Sequence, residues 1–192
     1  MQAQARQLYS PEEYLNQEEQ SEVRHAYLDG EIVPMVGGTP NHNRIILNVA
    51  TLLNVSLKRQ PYQVFVADQR LWIPSRNVYT YPDVMVISGD FQLQEGRKDT
   101  ITNPALIVEV LSSSTQAYDQ TDKFKAYRSL ESLQEYILID QYSIHIEQYI
   151  KQSDRDWRFT DYDGEEAELK LASVPLSLSL LDIYDRVTFD KD

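Results

Sequence analysis

No cysteine occurs in the chain. No disulfide can therefore brace it, and a bound metal would have to be held by oxygen or by histidine nitrogen. Long apolar runs are missing as well: none approaches the roughly 20 residues that cross a bilayer, which argues against a membrane protein. The first residues, Met1-Gln2-Ala3-Gln4-Ala5-Arg6, lack the apolar core of a secretory signal, so a cytoplasmic location is the expectation. Positive charge is scarce, with 18 Lys and Arg against 30 Asp and Glu and a formal charge of −12. That balance argues against broad non-specific nucleic-acid binding, which rests on neutralising phosphates with Lys and Arg, but it leaves a nuclease open. Part of the acidity lies in a C-terminal run from Asp154 to Glu168, which reads as a solvated face. Repeats, linkers and low-complexity segments are absent, and 192 residues suit one domain, 1–192, with a sizeable core.

What is present is organised around Asn103–Thr115. Ala105–Leu111 is an almost unbroken apolar run, predicted as a strand buried on both faces, followed by a Ser/Thr loop leading to a helix. Before it, Ser10-Pro11-Glu12-Glu13 starts a short helix through about Glu19. Glu22–Leu28 and Glu31–Met35 read as strands joined by Asp29-Gly30, a hairpin signal. His42–Arg59 carries apolar residues at helical spacing. Tyr62–Ile73 is strand-like with a break near Ala67-Asp68, and Pro82-Asp83 opens the buried strand Val84–Ile87. Ser88–Thr102 reads as a long surface loop, Asp119–Leu130 as a helix and Glu135–Asp140 as a third apolar strand. Ser143–Ile150 alternates like a half-exposed strand near a sheet edge; Trp157–Tyr162 and Glu168–Leu171 would extend it, and Leu178–Tyr184 closes the chain as a short helix. The order predicts an α/β fold with a mixed central sheet.

Glu109 does not fit its strand. A carboxylate in a buried strand is costly unless a charged or hydrogen-bonding group meets it. Asp83 opens the preceding buried strand, and consecutive strands are often neighbours, so the two carboxylates are expected within a few ångströms. Such a pair repels unless a cation or proton joins it. With oxygen ligands and no thiols, Mg²⁺ or Mn²⁺ is the natural cation. On the following helix Lys123 shares the core side with Tyr127 and Leu130, whereas Lys125 lies on the outer side, so Lys123 is the lysine expected to reach Glu109. His42, at a helix start, is a candidate for the vicinity of the metal or phosphate. Glu31 would be a third carboxylate near the site if its strand face turns inward. Asp68 reads as structural.

Pro82-Asp83, Glu109-Val110-Leu111 and a following lysine resemble the PD-(D/E)XK restriction-endonuclease-like superfamily. More closely, the chain resembles its Uma-type family of uncharacterised bacterial proteins, through Tyr27–Glu31, Asn41–Asn43, Tyr81–Val84, Leu106–Ser112, Asp122-Lys123 ahead of Tyr127, Glu135-Tyr136 and Ile139-Asp140. The resemblance runs from about Tyr9 to Tyr184 and implies an αβββαβ nuclease core, with an N-terminal hairpin and C-terminal strands added. It also implies metal-dependent phosphodiester hydrolysis in DNA. Asp83, Glu109 and the Val110 carbonyl would hold the metal, and Asp83, Glu109 and Lys123 would be the catalytic set. One position departs from the pattern: the superfamily places lysine two residues after the glutamate, where this chain has Leu111. Alternatives are a catalytically silent nuclease fold that binds nucleic acid or protein, and hydrolysis of a small phosphorylated molecule. A homodimer is expected, with an edge strand such as Ser143–Ile150 mediating pairing.

Overall fold

The computed structural model describes residues 7–35, 37–113 and 115–189. The N-terminal six residues, read above for a secretory signal, and Ser114 of the loop after the central strand lie outside the described residues. Among the described residues no helix is long and apolar enough to cross a membrane.

The chain begins with α1 (Pro11–Glu18), capped by the Ser10 hydroxyl accepting from the Glu13 N–H while Glu13 accepts from the Ser10 N–H. The hairpin β1 (His25–Leu28) and β2 (Glu31–Pro34) turns at Asp29 and Gly30, both at positive φ (47° and 103°). That backbone matches the right-handed twist of the flanking strands. Next come α2 (Pro40–Ser56), β3 (Tyr62–Val66), β4 (Arg70–Ile73), a 3₁₀ turn (Pro74–Arg76), β5 (Val78–Thr80) and β6 (Val84–Ser88). The loop after β6 leads to β7 (Thr100–Ile101) and the central strand β8 (Leu106–Leu111). Residues 116–127 form one helical stretch: α3 (Gln116–Tyr118), a π segment (Asp119–Lys123) and α4 (Phe124–Tyr127). The chain ends with β9 (Glu135–Asp140), β10 (His145–Lys151), β11 (Trp157–Asp163), β12 (Glu168–Lys170), β13 (Ser177–Ser179) and α5 (Leu180–Ile183).

Six strands form the central mixed sheet, in the order β11-β10-β9-β8-β6-β3, with β8 and β9 parallel and their other neighbours antiparallel. One face packs on α2, through Ile45, Val49 and Leu53, and on the C-terminal segment, through Leu178, Leu180 and Ile183. The other face packs on α4 and the following Leu130, and on a second, five-stranded sheet, β2-β1-β5-β4-β7.

This second sheet corrects several sequence expectations. Tyr62–Ile73 breaks at Ala67 (φ 41°), where a break was expected, but its halves part into different sheets, β3 in the central one and β4 in the second. The predicted surface loop Ser88–Thr102 contains β7, whose Thr100 and Ile101 are buried beside β4. The strand expected near the edge, β10, is flanked by β9 and β11, so the edge falls to β11. Glu168–Lys170 pairs with β13 in a separate ladder instead of extending the central sheet, which leaves only Leu180–Ile183 of the predicted closing helix.

Candidate functional site

The register of β6 and β8 sets the site. Val84 lies opposite Val108 in the antiparallel ladder, and one further step places Asp83 across from Glu109. Alternation along each strand puts Asp83 on the same face as Met85 and Ile87, and Glu109 on the same face as Ile107 and Leu111, all of which belong to the side packed on the second sheet and the helix. Both carboxylates therefore look toward residues 116–127.

That helix answers with a row of polar side chains. Asp119, Lys123 and Tyr127 follow one another at intervals of four and present a carboxylate, an ammonium and a phenol to Glu109. Lys123 Nζ lies 3.0 Å from Glu109 Oε1 and 2.9 Å from Asp119 Oδ1. The Tyr127 hydroxyl donates to Glu109 Oε1 at 2.6 Å. Across the sheet, Asp83 Oδ2 accepts the Val110 N–H at 2.8 Å and lies 3.4 Å from His42 Nε2. His42 is delivered by the first turn of α2, where its N–H is held by the capping hydroxyl of Thr39. The approach is close: a Cβ on Gly38 would come within 2.6 Å of His42 Nδ1.

Asp83, Glu109, Val110, Lys123 and His42 line one cavity of about 300 Å³. Its rim includes Val33 and Met35 of the β1–β2 hairpin region, both partly exposed. Glu31, weighed above as a third carboxylate, is not part of the lining. Val110, expected as a ligand through its carbonyl oxygen, meets Asp83 through its N–H. Asp68 lies apart, exposed and 3.7 Å from Arg24.

The electrostatics follow from burial. Loss of water, opposed by Lys123 and reinforced by Asp83 and Asp119, pushes the Glu109 carboxyl up to about 8. For Lys123 burial disfavours the ammonium, but Glu109, Asp119 and Asp83 outweigh it and hold the pKa above the ordinary lysine range. Burial likewise works against the His42 imidazolium and is overcome by Asp83, Glu109 and the Val110 main chain, so that its pKa is raised. Burial and the neighbouring Glu109 keep the Tyr127 phenol protonated.

Asp83 and Glu109 are the side chains here that could hold a hard divalent cation. Asp83, Glu109 and Asp119 meet two basic side chains, Lys123 and His42. Among the described residues Asp83 Oδ1 and Glu109 Oε2 have no hydrogen bond or ion pair, since the contacts of these two side chains fall on Oδ2 and Oε1. No group of three or more His, Asp or Glu side chains is assembled for a metal among the described residues. An ion here would complete its shell with water, as Mg²⁺ commonly does.

Asp119 escaped the sequence reading, which took it only as a helix start. The available signal was its position four residues before Lys123 on the core-facing side of the helix. The π segment that carries both residues has no signature in the composition, although such segments recur at functional sites.

Comparison with known proteins places this geometry in context. The family model Uma2, described as "Putative restriction endonuclease", matches residues 11–183. Two relatives come from Synechocystis sp. (strain ATCC 27184 / PCC 6803 / Kazusa). The protein sll1609 is 42% identical over 164 residues, covering 85% of this chain and 93% of the relative. The protein slr1290 is 38% identical over 182 residues, covering 94% and 93%; both are described as uncharacterized. A crystal structure from Anabaena variabilis ATCC 29413, described as "a putative nuclease belonging to DUF820", superposes with a TM-score of 0.75 at 20% identity, covering 94% of this chain and 99% of that one. The shared fold is restriction-endonuclease-like, and the chain belongs to the Uma2 family.

Proposed function

We propose that this chain is a divalent-metal-dependent nuclease hydrolysing phosphodiester bonds in DNA. The observation that carries the reading is the convergence of Asp83, Glu109 and Lys123 on one cavity, with a carboxylate oxygen of each acid left without a partner among the described residues. Asp83 and Glu109, with the Val110 carbonyl, would hold Mg²⁺ or Mn²⁺. When bound, the ion supplies Lewis acidity toward the phosphate and a nucleophile that is potent at neutral pH.

The protein's own side chains do the rest. Lys123, held between Glu109 and Asp119, directs a fixed ammonium to the charge that builds up on the phosphate oxygens. Tyr127 and Asp119 keep the Glu109 and Lys123 rotamers in place. His42, beside Asp83 at the N-terminal end of α2, lies where a flanking phosphate is favoured by the helix dipole. At about 300 Å³ the cavity suits one phosphodiester group and its sugar from a strand that enters it. Cutting both strands of a duplex would call for a homodimer, and the edge strand β11 offers backbone for pairing.

The test is plasmid cleavage with Mg²⁺ or Mn²⁺, run beside Asp83→Ala and Glu109→Ala, with metal binding followed by calorimetry. Wild type should bind the ion and cut, and each variant should lose both. Equal cleavage by wild type and variants, or no metal binding by a folded wild type, would sink the proposal.

A further inference from the structure

Away from the cavity, one recess gathers three arginines. Arg76, Arg128 and Arg155 line a hollow of about 290 Å³ with Ser129, Asp154 and Trp157. The three arginines come from separate parts of the chain: the 3₁₀ turn after β4, the C-cap of α4, and the loop between β10 and β11. Arg24, Arg70, Arg97 and Arg186 lie 2.7–3.7 Å from carboxylates. Among the described residues Arg76, Arg128 and Arg155 have no such partner, in common with Arg44, Arg59 and Arg158; what sets the three apart is that they share one hollow. The acid in the recess, Asp154, lies 3.5 Å from Lys151.

The recess is built rather than incidental. Ser75 and Ser129 share a hydrogen bond of 2.7 Å between their hydroxyls, which ties the residue before Arg76 to the residue after Arg128. The Arg128 guanidinium sits 5.7 Å over the Phe124 ring, and Trp157 meets the same ring edge-on at 5.4 Å. Phe124 thus fixes an arginine and an indole relative to each other. Guanidiniums beside an aromatic face form a combination that tracks a phosphate backbone and stacks a base.

The helix links this recess to the cavity. Tyr118, Asp119 and Lys123 line the cavity, while Arg128 and Ser129, just beyond α4, line the recess. We infer that the recess holds the phosphodiester backbone of the strand whose scissile group enters the cavity, with Trp157 as a stacking surface for an unpaired base. The inference rests on the nucleic-acid reading above and extends it to a second contact site.

The test is fluorescence anisotropy with a labelled single-stranded oligonucleotide in EDTA, where nothing is cut. The variant Arg76→Gln/Arg128→Gln/Arg155→Gln is compared with Lys58→Gln/Lys98→Gln/Arg186→Gln, which removes the same charge at exposed positions elsewhere. The recess variant should bind at least tenfold more weakly than the control. Its log affinity against log salt should flatten by about 2, from roughly 0.7 per phosphate contact on a single strand. Trp157→Ala should weaken binding several-fold with the salt slope unchanged. Circular dichroism checks folding, and the single variant Arg155→Glu, in an exposed loop, repeats the test with the least disturbance. Equal affinity of the recess and control variants overturns the inference. So does protection of the recess by inorganic phosphate with no change in oligonucleotide affinity, which marks a free-anion site. Cleavage is read separately. Active enzyme with an unaffected recess variant defeats this inference alone, whereas recess-dependent binding by a wild type that never cuts defeats the nuclease proposal alone.

Discussion

Replacing Glu109 by glutamine separates a metal-binding carboxylate from a structural one. In the absence of metal, burial holds the Glu109 pKa at about 8 against an ordinary 4.5. The difference of 3.5 (8 minus 4.5), at about 1.4 kcal/mol per unit, amounts to a cost on the order of 5 kcal/mol for keeping the ionised group inside the fold. The sign follows from proton counting. Between pH 4.5 and 8 the folded chain retains a proton that the unfolded chain has released, so stability falls as pH rises through this window and levels off above it. Glutamine carries no such titration. Its carbonyl can still accept from Tyr127 and Lys123, as Glu109 Oε1 does, and its amide takes the place of Oε2. Glu109→Gln should therefore match wild type near pH 5 and exceed it at pH 9 by a few kcal/mol, a rise in urea midpoint on the order of 1–2 M. Urea unfolding in EDTA at pH 5, 7 and 9 measures this. Added Mn²⁺ should then stabilise wild type, by about 2.7 kcal/mol at one hundred times its dissociation constant, and leave the variant unmoved. Parallel pH curves, or a variant less stable at pH 9, would show that Lys123 and Tyr127 already compensate Glu109 fully and would refute the argument.

Two further perturbations probe the neighbours. Lys123→Met leaves Glu109 and Asp119 buried without their cation, and breaking a buried pair from one side costs about 3–5 kcal/mol; chemical denaturation at pH 9 should register that loss, shrinking toward pH 5 as Glu109 takes up a proton. Gly38→Ala puts a methyl 2.6 Å from His42 Nδ1 and should displace the ring from Asp83, changing the His42 ring resonances in an NMR titration while the thermal midpoint moves by no more than a few degrees.

The central strand, its glutamate and the adjacency of Asp83 were legible because each is local. An apolar run marks a buried strand, a lone acid in it marks a misfit, and neighbouring β6 and β8 need only a sequence-near crossover. Lys123 was legible through helical periodicity, since Tyr127 and Leu130 mark the buried side. The second sheet was not legible. Its strands are short, Val78–Thr80 and Thr100–Ile101 among them, and pairing across long loops leaves no periodic trace over two or three residues. The sequence left Glu31 open for a related reason: alternation puts it in line with Val33 and Met35, and of the three only those two line the cavity. Asp119 was overlooked because a Thr/Ser-rich loop next to an acid looks the same whether the acid caps a helix or faces inward.

The absence of lysine two residues after Glu109 has a structural reason. Leu111 is 3% exposed and packs with Ile107, Tyr127 and Leu138 between the two layers. A lysine there would replace that packing with a charge and would compete with the second sheet for space. The helix carries the ammonium instead, and it brings Asp119 and Tyr127 on the same row, so that Glu109 and Lys123 are each held by a second polar group. A strand lysine would inherit its direction from the pleat alone. A helix lysine depends on how residues 116–127 pack, and here the helix is anchored by Phe124 against Tyr136 and by Tyr127 against the same ring, at 5.5 and 5.4 Å between centroids. The aromatic packing that stabilises the helix is thus what aims the amine at the acid, and loosening it would disturb the site before it unfolded the protein.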